Sequence, residues 1–120
     1  MLTLDGLNRK VIMYTKEQIA EIFNKYEAEK FLFRRVENKY SKRIDVNAFI
    51  LLDKLFPNST VRLVFSTDDS QGSCLALNLP AEEILTLTEE NILTLIRCGV
   101  DYDKDFEELS MTIPFDDWGV

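Results

Sequence analysis

The apolar residues of this chain follow two different periods, and the period changes from one segment to the next. From Ile19 to Tyr26 they recur every three or four residues, which is the spacing of one face of a helix. Leu109, Met111 and Ile113 alternate instead with polar residues, which is the pattern of a strand with one buried face. The sequence therefore predicts a fold that contains both helices and a sheet.

Helix signals occur at two places in the first half of the chain. Thr15 stands three residues before Gln18, so each side chain can bond the other residue's backbone N–H, and this predicts a helix over about 15–29. Asp45 is predicted to cap a second helix. That helix should end before Pro57, because proline cannot continue it.

The second half contains signals for a short helix and a longer one. Pro80 suits the first turn of the short helix. Thr88 precedes two acidic residues, which the positive end of a helix favours. Arg97 and Gly99 supply the usual stop signals for this longer helix.

Five segments are predicted to form strands: 9–14, 31–36, 61–66, 74–79 and 109–113. Of these, 31–36 is rich in aromatic and branched side chains, and 109–113 shows the alternation described above. The segments 61–66 and 74–79 are separated by Thr, Asp, Ser, Gln and Gly, which are typical of an exposed turn. These two segments predict a β-hairpin over about 61–79.

Composition and length indicate one compact domain. Apolar residues make up 46% of the chain and only 4 Gly and 3 Pro occur, which disfavours disordered and low-complexity classes. We expect a single α+β domain over residues 1–120, with an antiparallel or mixed sheet around the central hairpin and three to four helices packed mainly on one face. Apolar runs such as Phe49–Leu52 are far shorter than the ~20 residues that span a bilayer, and we expect no secretory signal because the first residues lack its long apolar segment. We therefore expect a soluble cytoplasmic protein without membrane contact.

The chain contains no His, which removes the commonest general base and metal ligand. Ser-His-Asp and Cys-His catalysis are excluded with it. Cys74 and Cys98 lie in separate apolar stretches, so we interpret them as small buried residues rather than as a redox pair. No Gly-rich sequence of the kind that holds phosphate occurs. We expect no catalytic residue, no cofactor and no metal, and we predict that the protein is not an enzyme.

The run from Asp101 to Glu108 carries alternating Asp residues like the start of a calcium-binding helix-loop-helix loop, but it fails two requirements of that loop. A calcium loop needs Gly at its sixth position and Glu at its twelfth. Phe106 and Thr112 occupy those positions here. The run is therefore interpreted either as a solvated loop or as a negative surface that meets Lys and Arg of a partner.

Charge is distributed unevenly along the chain. Residues 1–60 carry a net charge of +3 and residues 61–120 a net charge of −10, which gives −7 in total. The basic stretch 34–43, with Phe31, Phe33 and Tyr40 close by, has the residue types that contact phosphate and stack on bases, but the acidic second half would repel a polyanion. We expect these cations instead to pair with acids of the second half, or to form the opposite pole of a dipolar surface.

The acidic second half is the predicted binding surface for a basic protein. The residues assigned to it are nine carboxylates and one aromatic anchor: Asp68, Asp69, Asp101, Asp103, Asp105, Glu107, Glu108, Asp116, Asp117 and Trp118. In size, acidity and lack of catalytic residues the chain resembles immunity proteins and antitoxin-like inhibitors of basic toxins or nucleases. Such inhibitors present carboxylates to the Lys and Arg residues of a nuclease site, and the charges steer fast association.

Three alternatives remain open at this point. One is a small nucleic-acid-binding regulator that uses the basic stretch 34–43. Another is a phage-encoded inhibitor of a host enzyme. The third is a domain with an enzymatic role that no sequence motif identifies. Both a monomer and a homodimer are compatible with the sequence.

Overall fold

Strands in the computed structural model, which describes residues 2–4, 10–68 and 73–113, form two antiparallel sheets. The smaller sheet pairs β1 (Leu2–Leu4) with β2 (Lys10–Ile12). The larger sheet contains β3 (Val64–Asp68), β4 (Ser73–Leu77), β5 (Val100–Asp103) and β6 (Glu108–Ile113). Its strands lie in the order β3-β4-β6-β5. The hairpin predicted over 61–79 is confirmed as the pair β3–β4, with strand bounds one to three residues from those predicted.

Four α-helices occur in the described residues: α1 (Lys16–Lys25), α2 (Ile44–Leu55), α3 (Ala81–Ile84) and α4 (Glu89–Arg97). The predicted capping box begins α1, where the backbone N–H of Thr15 donates to Gln18 Oε1 and that of Gln18 donates to Thr15 Oγ1. Thr88 caps α4 through its hydroxyl, and Gly99 follows the helix with a φ of +89°. The sequence signals therefore predicted the start of α1 and both ends of α4 correctly. The helix predicted to run to about residue 29 ends at Lys25, and a 3₁₀ turn over Glu27–Glu29 follows it.

Cross-strand pairs place the apolar residues of the larger sheet on one face. Met111 lies opposite Leu75 on one side and opposite Val100 on the other, and directly opposite residues share a face. The helices pack mainly on this face. Their fully buried residues, such as Ile19 and Ile92, form one core with those of the strands. The fold is the predicted α+β arrangement.

Residues 31–36 do not form the predicted strand. Phe33–Arg35 form a single turn of 3₁₀-helix instead. Phe33 and Val36 are buried while the two Arg residues between them are exposed. Burial at a spacing of three residues fits a 3₁₀ turn, whereas a strand would alternate at a spacing of two. The prediction was wrong because it was based on the aromatic and branched residues of the segment and not on the spacing of its apolar positions.

The start of α2 and the presence of β5 also differ from the predictions. Arg43 is the N-cap residue of α2 and makes no side-chain capping bond, since Arg has donors but no acceptor. Asp45 lies in the first turn, where its Oδ1 accepts from the N–H of Val46 at 2.9 Å. Strand β5 was not predicted, because Asp101 and Asp103 were interpreted as parts of an acidic loop.

The described part of the chain is closely packed. The radius of gyration is 14.1 Å, near the ~13.6 Å expected for a folded chain of this length. Among the residues described, no helix has both the length and the hydropathy to cross a membrane.

Candidate functional site

The turn between β5 and β6 brings four of the predicted acidic residues together. Asp103 lies opposite Glu108 across the two strands, and the four residues between them form the turn. The carboxylate Oδ1 of Asp103 accepts hydrogen bonds from the backbone N–H groups of Asp105 at 2.9 Å and Phe106 at 3.2 Å. An Asp side chain that accepts hydrogen bonds from backbone N–H groups two and three residues later stabilises the conformation of the turn. Residues 103–108 are called the acidic tip below.

Phe106 lies in the acidic tip and is 76% exposed. The other large apolar residues with high exposure in the described chain are Val61 and Tyr40, at 61% and 51%. The sequence analysis named Phe106 only as the residue that breaks a calcium loop. The sequence pattern that could have identified Phe106 is a single aromatic residue between two acidic residues in a turn. A side chain in such a turn is not buried in the core.

The carboxylates around Phe106 are largely unpaired. Asp103, Asp105 and Glu107 are exposed. Of the acids in the tip, Glu107 alone has an ion pair with a described residue, at 3.9 Å from the Nζ of Lys16. The acidic tip therefore presents a negative rim around one apolar side chain.

The base of the hairpin is fixed to the helix layer. The ring of Tyr102 in β5 stacks on the ring of Phe23 in α1, with centroids 5.9 Å apart and planes 27° apart. Burial raises the pKa of Tyr102, and the neighbouring charge of Glu107 raises it further. The acidic tip is therefore held by a packed aromatic pair at its base.

The remaining predicted acids lie away from the acidic tip. Asp101 forms an ion pair with Lys30. Asp68 lies opposite Cys74, which in turn lies opposite Thr112, so Asp68 is at the other end of the sheet. At about 3.3 Å per residue, this end is roughly 13 Å along β6 from the acidic tip. The predicted residues outside the described part of the chain are Asp69, Asp116, Asp117 and Trp118.

The basic stretch 34–43 does not pair with acids of the second half within the described residues. Its one ion pair there joins Arg35 to Glu29, which also belongs to the first half. The pairs that do cross between the halves within the described ranges are Lys16 with Glu107, Lys25 with Glu89, Lys30 with Asp101 and Arg97 with Glu29. Within the described residues, lysines on or just after α1 supply three of these contacts and the stretch 34–43 supplies none. The other expectation, that this stretch forms the opposite pole of a dipolar surface, stays a prediction.

Two carboxylates, Glu29 of the first half and Glu89 of α4, form hydrogen bonds between the first half of the chain and α4. Glu29 accepts hydrogen bonds from Arg97 Nε at 3.1 Å and Nη2 at 2.7 Å, which hold its pKa below the ordinary value. Glu89 accepts from Lys25 Nζ at 2.8 Å and from the hydroxyl of Tyr26 at 2.6 Å. These bonds lower the pKa of Glu89, and the same contact raises that of Lys25.

The two cysteines are both free thiols, of which Cys98 is buried and Cys74 half-buried. Burial raises the pKa of Cys98 to about 11, so it is protonated at neutral pH and unsuited to nucleophilic chemistry. Within the described ranges, no cluster of three or more His, Cys, Asp or Glu residues has the arrangement to hold a metal ion.

Comparison with known proteins gives no match to a family model, a curated protein or a solved structure. The function of the acidic tip therefore has to be inferred from its own geometry and charge.

Proposed function

We propose that this protein is a non-catalytic binding protein that uses the acidic tip to bind and occlude a basic protein, in the manner of an immunity protein or antitoxin. The observation that carries this proposal is Phe106, 76% exposed among carboxylates of which only Glu107 has an ion pair within the described residues. Large aromatic residues surrounded by polar groups are typical of binding hot spots. Burial of this ring in a partner's pocket removes apolar surface from water, which favours the complex.

The carboxylates of the acidic tip define the chemistry of the partner. Toxins and nucleases that act on nucleic acids hold Lys and Arg at their active sites to bind phosphate. A negative rim is complementary to such a surface and accelerates encounter through long-range attraction. Inhibition would then follow because the bound hairpin excludes the substrate. A phage-encoded inhibitor of a host enzyme would use the same surface and differ only in its target.

Nucleic-acid binding by the stretch 34–43 is less well supported. Single-stranded nucleic acid is held by exposed aromatic rings on which bases stack. Phe33 is fully buried and Phe31 is half-buried. Tyr40 is 51% exposed, but it is a single ring, and the Nζ of Lys54 lies 5.2 Å from its centroid. We therefore do not propose nucleic-acid binding as a second function.

The test is capture of partners from a lysate of the source organism, followed by binding kinetics with the purified partner and an assay of its activity. Phe106→Ala should weaken binding roughly tenfold or more, mainly through faster dissociation, since a hot-spot residue contributes about 2 kcal/mol. The triple variant Asp103→Asn, Asp105→Asn and Glu107→Gln should slow association and weaken its dependence on salt. Asp103→Asn keeps a side-chain oxygen that can accept the two hydrogen bonds of the turn.

Matched controls separate the acidic tip from general surface properties. Val61→Ala removes an exposed apolar side chain elsewhere, and the triple variant Glu27→Gln, Asp53→Asn and Glu82→Gln makes the same change in net charge. Both controls should bind like the wild type and inhibit the partner equally well. The proposal is wrong if the controls and the tip variants behave alike, or if the captured protein remains fully active when bound.

A further inference from the structure

A groove of about 430 Å³ lies beside the 3₁₀ turn of Phe33–Arg35. The described residues that line it are Phe33, Arg34, Lys39 and Lys42. Phe33 is buried, so the accessible parts of this lining are the aliphatic stems and charged ends of three exposed cations. We call these four residues the basic groove.

The cations of the basic groove have no carboxylate partner among the described residues. Arg34, Lys39 and Lys42 form no ion pair there, although the chain has a net charge of −7. The cations that do pair with carboxylates within the same ranges are Lys16, Lys25, Lys30, Arg35 and Arg97. Like charges held together repel one another, and a bound anion would relieve that repulsion.

The loop that carries Lys39 and Lys42 is held in place by hydrogen bonds to α2. Asn47 of α2 is 1% exposed, and its Oδ1 accepts hydrogen bonds from the backbone N–H groups of Tyr40 at 2.6 Å and Ser41 at 3.0 Å. Lys39 is itself positioned, since its Nζ donates to the carbonyl oxygen of Val36 at 2.8 Å. A site whose groups are placed before the ligand arrives loses less entropy on binding.

We propose that the basic groove binds a small phosphate monoester that carries an apolar body. A phosphate monoester has nearly two negative charges at neutral pH, so it matches a group of three cations better than a single carboxylate does. The guanidinium of Arg34 can bind two phosphate oxygens at once, while the lysines act as point charges. The apolar body would lie along the aliphatic stems of the side chains. This site does not involve the acidic tip, so the proposal is independent of the function proposed above.

The test uses phenyl phosphate as the probe and the full chain labelled with ¹⁵N for NMR. Titration at pH 7.5 should give saturable shifts of backbone amides in residues 33–43 and at Asn47. The double variant Arg34→Gln and Lys42→Gln should bind at least tenfold more weakly, because it removes two charge-assisted contacts. These two side chains make no other hydrogen bond or ion pair within the described residues, so the fold should be retained, which the spectrum itself will show.

The control variant Lys54→Gln with Arg62→Gln makes the same change in net charge at exposed positions that do not line the groove. It should bind phenyl phosphate within twofold of the wild type. The proposal is overturned if both double variants lose affinity equally, if no saturable shift appears, or if inorganic phosphate binds as tightly as phenyl phosphate. Binding of oligothymidylate that tightens steadily with length would also overturn it, since this would identify an extended nucleic-acid surface.

Discussion

Gly99 leaves α4 with a φ of +89° and leads directly into β5. A Cβ atom at this position would lie 2.6 Å from Cε1 of Phe31 and 2.9 Å from the backbone oxygen of Thr112. Gly99→Ala therefore has two unfavourable effects. It places a residue with a side chain at positive φ, and its Cβ atom would lie too close to the backbone oxygen of Thr112, which cannot move aside as a flexible side chain can. We expect a loss of about 3 kcal/mol in the free energy of unfolding, measured by urea titration.

Gly99→Asn separates the two causes of this loss. Asn tolerates positive φ better than Ala does, but it carries the same Cβ atom. Equal losses in the two variants would identify the contact with Thr112 as the dominant cause, and a clearly smaller loss for Asn would identify the backbone conformation. A loss below 0.5 kcal/mol in both variants would contradict the close packing at this turn.

At the scale of single elements, the turn of the β5–β6 hairpin places Glu107 in the left-handed region, with a φ of +52°. A residue with a side chain is disfavoured there by about 1 kcal/mol relative to Gly. Glu107→Gly should therefore raise the free energy of unfolding by about 0.5 kcal/mol, after the greater entropy of Gly in the unfolded chain is subtracted. The urea midpoint should increase while the m-value stays unchanged.

Glu107→Gln and Glu107→Asn are the controls for this prediction. Glu107→Gln removes the charge but keeps the strain, so it should remain within about 0.5 kcal/mol of the wild type, because the pair with Lys16 is long and exposed. Glu107→Asn should fall between Gln and Gly. If Gly destabilises the protein more than Gln does, the turn is not strained at this residue.

The elements that could be predicted from the sequence are those whose signals lie within a few residues. The capping box of Thr15 and Gln18 and the stop at Gly99 are local hydrogen-bond and backbone effects, and both are confirmed. The segment 31–36 was assigned wrongly, because packing of Phe33 against the core decides its conformation. For the candidate site, the acids near Phe106 are contiguous in sequence and could be predicted as a cluster. The separation of these acids from Asp68 could not be predicted, because it depends on the order of the strands in the sheet.

Across the whole chain, ion pairs join the two halves of opposite charge. The pair between Glu29 and Arg97 is among the least exposed of these ion pairs. The hydrogen bonds from Arg97 keep the pKa of Glu29 below its ordinary value of 4.5. In the unfolded chain Glu29 takes up a proton at the ordinary value, so near and below that pH the unfolded state binds more protons. The stability contributed by Glu29 is therefore complete above about pH 5 and is lost as the pH falls through the pKa of the folded state.

Glu29→Gln tests this linkage against the neighbouring control Glu27→Gln, which changes an exposed acid without an ion pair in the described residues. We expect Glu29→Gln to destabilise the protein at pH 7, and its difference from the wild type to shrink steadily between pH 5 and pH 3. For Glu27→Gln the difference should be small at every pH. Urea unfolding at each pH measures both differences. A deficit for Glu29→Gln that stays constant down to pH 3 would mean that Glu29 takes up its proton over the same pH range in the folded and the unfolded chain, and that the contact with Arg97 does not shift its titration.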